Sequence, residues 1–498
     1  MKKFTKGMTS LLMSAAVMTS MLPPAAHAAD FSYSSTGSDI KRNADNGWNV
    51  YWSENIYGAK DADGTSASAS YGGAWGVWGQ NETYALKIHT KVPNGIRTKD
   101  CWGVANKLTF AHWDYFGSHP DANYLHTSID IALSELKSAE EDAYVTITSK
   151  LKSASGEEKE INLFSFYRPT WIKLAGVFQK YEYNPERWMR LDFVFDKKNS
   201  TVDAYINGTR FIKGKALDID INGDSAGFTG LILYTNDSKT ESITENTSST
   251  GFREFDLYVR SFGYDYTAEP YHVMNPMELA KDSNGEFSLT LNGGTARTDN
   301  EKGIIYGGVD TTANDILSSI GQTGLPSNAA YSVIKEDVTG TGDWIGRNAV
   351  EGDTSIEPQL NEGGIYELTE NWLKIDVPGD TPSLRKGRVY YIPILDAAVG
   401  KIHSGDYLCD DGYYYPGEEL KIDILSNADG GNVKVLVAQY DNDNRLDNVI
   451  CSDITTVLRE PQAVRYTPGN DLGKVVIYLW IDDMLPLDRA AELSPAPL

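Results

Sequence analysis

Arg187-Trp188-Met189-Arg190-Leu191-Asp192-Phe193-Val194-Phe195-Asp196 is followed, after the polar stretch 197–200, by Thr201-Val202-Asp203-Ala204-Tyr205-Ile206-Asn207-Gly208. Met189, Leu191, Phe193 and Phe195 fall on one side of an extended chain, and Trp188, Arg190 and Asp192 on the other, the period of two that a pleated strand imposes. The first row reads as core. Val202, Ala204 and Ile206 repeat the pattern as a second buried row, and Asn207-Gly208 supplies the positive φ angles of a tight type I′ turn. The stretch is therefore an antiparallel β-meander with one face turned inward.

Working outward, Ser128-Ile-Asp-Ile-Ala-Leu133, Tyr144-Val-Thr-Ile-Thr148, Glu160-Ile-Asn-Leu-Phe-Ser-Phe166 and Gly230-Leu-Ile-Leu-Tyr234 are further short strands between polar turns. Phe252-Arg-Glu-Phe-Asp-Leu-Tyr-Val-Arg-Ser-Phe-Gly263 alternates again. Many short strands without a convincing helix predict an antiparallel sandwich over residues 29–268. The order strand, polar turn, strand, Asn-Gly resembles the back-sheet hairpin of the concanavalin A-like lectin/glucanase superfamily, jelly rolls that include laminin G-like modules. The 252–263 stretch resembles the closing strand of the same family. This resemblance implies a jelly roll that handles a glycan, without implying which one.

Lys2, Lys3 and Lys6 precede an apolar run through Leu11, Leu12, Met13, Val17 and Leu22, and Ala26-His27-Ala28 offers the small residues of a signal-peptidase site. Residues 1–28 thus read as a secretory signal, and the run falls short of the ~20 residues a bilayer needs. The expectation is an exported protein, extracellular or loosely associated with the cell wall. The formal charge of −24 becomes −27 once those three lysines are removed. Such a surface repels phosphate backbones and anionic lipid, so nucleic acid and membrane insertion are not expected. Three cysteines, Cys101, Cys409 and Cys451, cannot make a disulfide framework. Cys409 and Cys451 are close enough in sequence to share a module and pair, but buried free thiols are the preferred reading.

The remainder divides into two smaller β-rich modules. Residues 269–395 contain one helix, where Ala313, Ile316, Leu317 and Ile320 follow helical spacing, Thr312 with Asp315 makes a capping box, and Gly321 fits a left-handed stop. Phe287–Leu291, Tyr331–Ile334, Trp372–Ile375 and Arg388–Ile394 are its strands, giving an α+β or Ig-like module. Residues 396–490 alternate in Leu420–Ile424, Val433–Tyr440 and Lys474–Trp480, with a turn cluster from Tyr440, and predict an Ig- or fibronectin-like sandwich. Residues 491–498 read as a frayed tail. Both modules resemble, by general pattern, accessory modules of Gram-positive-type secreted proteins.

Candidate chemistry is sparse. Paired carboxylates of a jelly-roll glucanase need two or three acids on one strand face; Glu254-Phe255-Asp256-Leu257-Tyr258 ends in a tyrosine, and Ser128–Ala132 lacks the flanking glutamates. The lyase relatives of the resemblance carry a Gln-x-His strand; Lys87-Ile88-His89 lacks the glutamine, and Trp171–Gln179 only loosely resembles their Tyr- and Lys-bearing strand. His112, His119 and His126 recur every seven residues in a loop with Gly and Pro, a spacing that fixes no zinc geometry. Asp218-Ile-Asp220-Ile-Asn222-Gly223 satisfies the first half of a calcium loop but has Thr229 where a bidentate Glu is needed, so Asp218, Asp220 and Asn222 are candidate ligands of a single structural calcium. No other cofactor is implied.

Aromatic crowding between Trp48 and Phe116 is the strongest functional signal, because flat rings stack on pyranose faces while amides and carboxylates meet the hydroxyls. Trp52, Trp75, Trp78, Trp113 and Asp114 are the candidate glycan contacts. The expectation is a secreted multimodular protein whose jelly roll binds a polysaccharide or cell-surface glycan without catalysis. Two rivals stand beside it. One is a glycoside hydrolase or polysaccharide lyase of the same fold, using Glu254 and Asp256 or His89 and Tyr84. The other is a structural or protein-binding surface component.

Overall fold

The computed structural model describes residues 33–36, 49–54, 66–71, 86–93, 106–133, 145–168, 171–180, 187–235, 252–280, 289–292, 296–308, 311–337, 347–349, 359–360, 366–367, 369–378, 387–458, 460–469, 473–481, 485–487 and 490–497. Its elements are overwhelmingly β. The N-terminal part contains β1 (Tyr33–Thr36), β2 (Asn49–Glu54), β3 (Ser66–Tyr71), β4 (Leu86–Pro93), β5 (Asn106–Tyr115), β6 (Tyr124–Leu133), β7 (Val145–Lys152) and β8 (Glu158–Arg168). It continues through β9 (Trp171–Leu174), β10 (Val177–Lys180), β11 (Met189–Asp196), β12 (Thr201–Ile206), β13 (Thr209–Ala216), β14 (Gly227–Thr235) and β15 (Phe252–Thr267).

These strands form two antiparallel sheets. An eight-stranded sheet runs β13-β12-β11-β6-β15-β4-β3 with β1 paired to β15, and a seven-stranded sheet runs β10-β9-β8-β7-β14-β5-β2. The chain alternates between them, from β4 to β5 to β6 to β7 and from β13 to β14 to β15, which is the winding of a jelly roll. The predicted hairpin is β11-β12, with Leu191 opposite Ile206 and Phe193 opposite Ala204. Asn207 and Gly208 have φ of 49° and 82°, the two left-handed residues of the expected turn. Leu191 and Phe193 are fully buried, packed with Leu231, Leu233, Ile147 and Phe164 of the opposite sheet.

The hairpin departs from expectation on its second face. Trp188, Asp192 and Asn207 are also buried. What meets Trp188 and Asn207 is the second module, a six-stranded mixed sheet built from β16 (Ala296–Asp299), β17 (Ile304–Gly307), β18 (Ala330–Asp337), β19 (Arg347–Ala349), β22 (Thr369–Val377) and β23 (Arg388–Leu395), in the order β16-β17-β23-β22-β18-β19. β20 (Gln359–Leu360) and β21 (Tyr366–Glu367) form a separate pair. One face of this sheet, through Leu373, Ile375, Tyr390 and Ile392, covers α1 (Pro276–Leu279) and α2 (Ala313–Ser319). The other, through Trp372, Val389 and Tyr391, joins the jelly-roll core, where Trp372 stacks on Phe211 at 5.5 Å.

The seam is polar as well as apolar. Asn207 Nδ2 donates to the Val389 carbonyl at 2.7 Å, Arg388 Nη1 donates to Asn207 Oδ1 at 3.0 Å, and Arg388 Nη2 reaches Asp130 Oδ2 at 3.2 Å. Trp188 N donates to the Gly387 carbonyl at 3.0 Å. A Cβ on Gly208 would lie 2.1 Å from the Met274 carbonyl oxygen, so the glycine serves both the turn and the close approach of the connecting segment.

The third module begins where the chain leaves β23 and turns at Asp396 into a second set of strands: β24 (Ala397–Ser404), β25 (Tyr407–Leu408), β26 (Tyr413–Tyr414), β27 (Leu420–Ser426) and β28 (Asn432–Tyr440). It ends with β29 (Leu446–Thr455), β30 (Gln462–Tyr466), β31 (Lys474–Ile481), β32 (Leu485–Pro486) and β33 (Ala491–Pro495). A four-stranded and a six-stranded sheet enclose Ile422, Ile424, Val435, Val437, Ile477 and Leu479.

Three expectations are corrected. The stretch 491–495 is β33, a strand paired with β31 and β26 through buried Leu493, because its alternation offers an edge strand a partner. α2 has the predicted capping box but no left-handed glycine stop. It ends at Ile320 with φ −59° and ψ 118°, and Gly321 instead gives room to Asn292, whose amide would lie 2.1 Å from a Cβ there. Cys409 and Cys451 are both free, and Cys451 is exposed rather than buried.

Replacing Arg388 by Leu strips the buried Asp130 of its guanidinium, and breaking such a pair costs about 3–5 kcal/mol. Denaturant unfolding of R388L should show that loss, with Asp130→Asn in the same chain recovering part of it. A loss below about 1 kcal/mol, the size of a surface pair, would contradict the buried seam.

Candidate functional site

A jelly roll has two outer faces on which a ligand can lie. Strand alternation puts His126, Asp130, Arg190 and Asp192 on the outer side of the eight-stranded sheet, with Arg190 beside Asp130 and Asp265 beside His126 in register. His126 donates from Nε2 to Asp192 Oδ1 at 2.9 Å, and Arg190 donates from Nε to Asp192 Oδ2 at 3.0 Å. Tyr271, in the segment leading to the second module, stacks on the imidazole with centroids 3.6 Å apart.

Burial alone would raise the Asp192 carboxyl, but the Arg190 charge and the His126 hydrogen bond outweigh it and hold it down at about 2. Burial pulls His126 below its ordinary value. A histidine on a carboxylate is the arrangement of a general base, but a base must reach a substrate proton. His126 and Asp192 are both fully buried, so this pair is sealed inside the protein.

The outer side of the seven-stranded sheet differs. Its register rows run Tyr115, Gly227, Lys152, Glu158, then Gly230, Lys150, Glu160, then Ile232, Thr148, Asn162, and finally Thr146, Ser165, Lys173. Trp113 stands at the bulge in β5 beside this face and is 49% exposed, the largest aromatic surface of the described jelly roll. Lys152 Nζ lies 4.9 Å from the Tyr115 ring, and Lys150 pairs with Glu158. Gly227 and Gly230 fall in register between the β5 rings and the β7 lysines, and a Cβ on Gly227 would lie 2.3 Å from the Asp114 carbonyl oxygen, so that glycine serves the close approach of the strands, while Tyr115, Lys150 and Lys152 line one strip of the sheet.

Farther along that strip, Thr146 donates to Ser165 Oγ at 3.2 Å and Asn162 Nδ2 donates to the same oxygen at 2.8 Å. Among the described residues, Thr148 Oγ1 and Asn162 Oδ1 are buried oxygens without a hydrogen-bond partner. Polar atoms in that condition are unusual; Thr146, Thr148, Ser165 and Ile232 are buried here, so the accessible part of this face is its Trp113, Tyr115, Lys150 and Lys152 end.

Behind Trp113 the rim is fixed by Asp114. Its carboxylate accepts from His119 Nε2 at 2.9 Å, from Tyr264 OH at 3.1 Å and from Tyr115 N at 2.9 Å. Tyr266 OH donates to the Asp114 carbonyl at 2.8 Å and accepts from Phe228 N at 3.0 Å, while its ring stacks on His119 at 4.4 Å. Asp114 thereby holds the strand that presents Trp113.

The other sequence candidates lie elsewhere. Trp52 sits in the register row of Leu108, Leu233 and Ile147, the last two being core residues. Trp75, Trp78 and Tyr84 lie outside the described residues. His89 is opposite Asp256 between β4 and β15, and the side chains of His89, Glu254 and Asp256 are likewise outside the description. Asp218 Oδ2 is held by Lys159 Nζ at 2.7 Å, and Asp220 Oδ1 accepts from Asn222 N at 2.9 Å. An ammonium and a turn hydrogen bond thus each engage one oxygen of these carboxylates, and among the described residues no three His, Cys, Asp or Glu converge on one point. Tyr115, Lys150, Lys152, Thr148 and Asn162 were not anticipated. Their signal is the alternation of Thr146, Thr148, Lys150 and Lys152 against Val145, Ile147 and Leu151.

No family model matches the sequence, and no curated protein matches it. Among solved structures the chain is similar to an endo-β-1,4-glucuronan lyase from the fungus Trichoderma reesei, at 12% identity and a TM-score of 0.32 over 48% of this chain and 96% of that one. It is also similar to peanut lectin, at 6% identity and 0.24 over 44% and 99%. The binding domain of botulinum neurotoxin DC, in complex with rat synaptotagmin II, aligns at 9% identity and 0.26 over 87% and 90%.

The buried imidazole sets a pH dependence. Because His126 is held below its ordinary 6.5, the unfolded chain takes up a proton that the folded chain refuses as pH falls through that value. Stability is full above it and declines below it, whereas the Asp192 contribution persists until pH falls toward about 2. The melting temperature should be flat above about pH 7 and drop below about pH 6. His126→Gln, compared with its own value at neutral pH, should flatten that drop; an unchanged slope would contradict the assignment.

Proposed function

We propose that the protein is a secreted, multimodular glycan-binding protein whose jelly roll holds a polysaccharide along the outer side of its seven-stranded sheet, without catalysing a reaction on it. The observation that carries this reading is the half-exposed Trp113, braced by the Asp114 network at the end of a strip lined by Tyr115 and the Lys150 and Lys152 ammonium groups. Indole and phenol faces stack on the apolar faces of pyranoses, and Lys heads meet hydroxyl or carboxylate groups. Such contacts reward a ligand for lying flat and extended, as a polysaccharide does.

Binding is favoured over catalysis by the two histidine–carboxylate pairs of the jelly-roll strands and rim, while the third described pair, the exposed His272–Glu278, has its carboxylate engaged in the capping box of α1. His126–Asp192 is sealed, and Asp114 is engaged by three donors in holding the rim. Secretion is supported by the basic, apolar and small-residue pattern of residues 1–28. The second module acts as the lid of the opposite face rather than as a spacer.

Affinity electrophoresis of the mature chain against a polysaccharide panel, with and without chelator, tests the reading. At least one polysaccharide should retard the protein, and Trp113→Ala should weaken that binding about tenfold or more with an unchanged melting temperature. Binding to none of the panel, or undiminished binding by W113A, would overturn the proposed face.

A further inference from the structure

The third module carries a second aromatic surface. In the extended segment after Gly412, Tyr414 is fully buried, whereas Tyr413 and Tyr415 are 40% and 46% exposed. Two residues apart on an extended chain, they point to the same side, ~7 Å apart along the strand. Tyr407 meets Tyr415 edge to face with centroids 5.0 Å apart. The rings are held in place. Tyr415 N donates to Ser404 Oγ at 3.0 Å, Tyr413 N donates to Asp411 Oδ1 at 3.1 Å, and Tyr407 OH donates to Asp411 Oδ2 at 2.5 Å. Strand β26 is further pinned by parallel pairing to β33, and Gly405, Gly412 and Gly417 take the left-handed angles that fold the segment back on itself.

The charged residues of the segment itself are all acidic. Residues 404–419 contain Asp406, Asp410, Asp411, Glu418 and Glu419 but neither Lys nor Arg. Glu419 is paired with Arg465, and Asp411 is engaged by Tyr407 and Tyr413. Asp406, Asp410 and Glu418 are exposed in the same segment. Exposed tyrosine faces fit a sugar ring, and adjacent carboxylates fit a cation on that sugar. An acidic glycan, a nucleic acid or an anionic membrane would be repelled.

We propose that the Tyr407–Tyr413–Tyr415 platform binds a polysaccharide carrying free amino groups, its pyranose faces on Tyr413 and Tyr415 and its ammonium groups beside Asp406 and Asp410. The platform stands on a different module from the Trp113 face and does not depend on it. Two glycan contacts on one chain would also raise the apparent affinity for a long polymer beyond that of either alone.

Titration of the full mature chain with an oligomer of glucosamine, with its N-acetylated counterpart and with an oligolysine of equal charge, read by tyrosine fluorescence, tests the proposal. The amino sugar should bind more tightly than the other two and lose affinity as salt rises. The double variant Tyr413→Ser, Tyr415→Ser should weaken it about tenfold or more, Asp406→Asn with Asp410→Asn should reduce it to the level of the acetylated oligomer, and Trp113→Ala should leave it unchanged. Equal binding of the acetylated oligomer or the oligolysine, no binding of the amino sugar, or undiminished binding by the tyrosine variant at an unchanged melting temperature would overturn it. Loss in W113A alone would return the amino sugar to the jelly roll and remove it from this platform.

Discussion

One constraint governs the structure: strand β11, with the Asn207 turn beside it, is buried on its polar side as well as its apolar one, at Trp188, Asp192 and Asn207. Its apolar row faces the other sheet of the jelly roll, and Trp188 and Asn207 meet the second module. Buried charge is tolerable only where it is paired and hydrogen-bonded. Arg190 is therefore bound to Asp192, His126 donates to the same carboxylate, and Arg388 crosses the seam to Asp130 and Asn207. The Asn207-Gly208 turn that joins β12 to β13 thus also makes the junction. The first two modules share one apolar cluster through Trp372, Val389 and Tyr391, and the second and third share another through Ile304, Tyr306 and Leu395.

That junction decides where a ligand can be met. A polar, histidine-bearing sheet face would ordinarily invite a catalytic reading, yet here the protein's own chain covers it. The seven-stranded sheet instead presents Trp113, Tyr115, Lys150 and Lys152, on strands stiffened by Asp114 and the tyrosines behind it. Rings held by interior hydrogen bonds lose little freedom when a sugar stacks on them, so their contact area converts to affinity with less ordering cost. The tyrosines of the third module follow the same logic: one ring anchored in the core, its neighbours turned outward, and a carboxylate fixing the turn between them.

Alternation made the fold legible. Met189 to Phe195 and Val202 to Ile206 named their own core side, and Asn207-Gly208 named its turn, because these are local rules of a pleated chain. What alternation cannot give is the neighbour on the second side. Alternation sets Trp188, Arg190 and Asp192 opposite the core row, and Trp188 is buried there against Gly387 and Arg388, about 200 positions away. The candidate site was legible to the same degree. Trp113 emerged exposed, but the rule that ring-rich segments bind sugars could not say that Asp114 is consumed by His119 and Tyr264, or that Lys150 and Lys152 lie across Gly227 and Gly230 from it. The tail was misread for a similar reason: residues 491–495 become a strand only because β31 and β26 leave edges for them.

Hydrogen–deuterium exchange of the mature chain, with and without a polysaccharide that it binds, tests most directly whether the outer side of the seven-stranded sheet is the working face and the opposite side a joint. The account predicts slowed exchange at residues 113–115 and 148–152 on adding ligand, with residues 126–130 and 189–192 already protected and unchanged. Ligand-induced protection confined to 126–130 and 189–192, or opening of residues 388–391 when the polysaccharide binds, would contradict it.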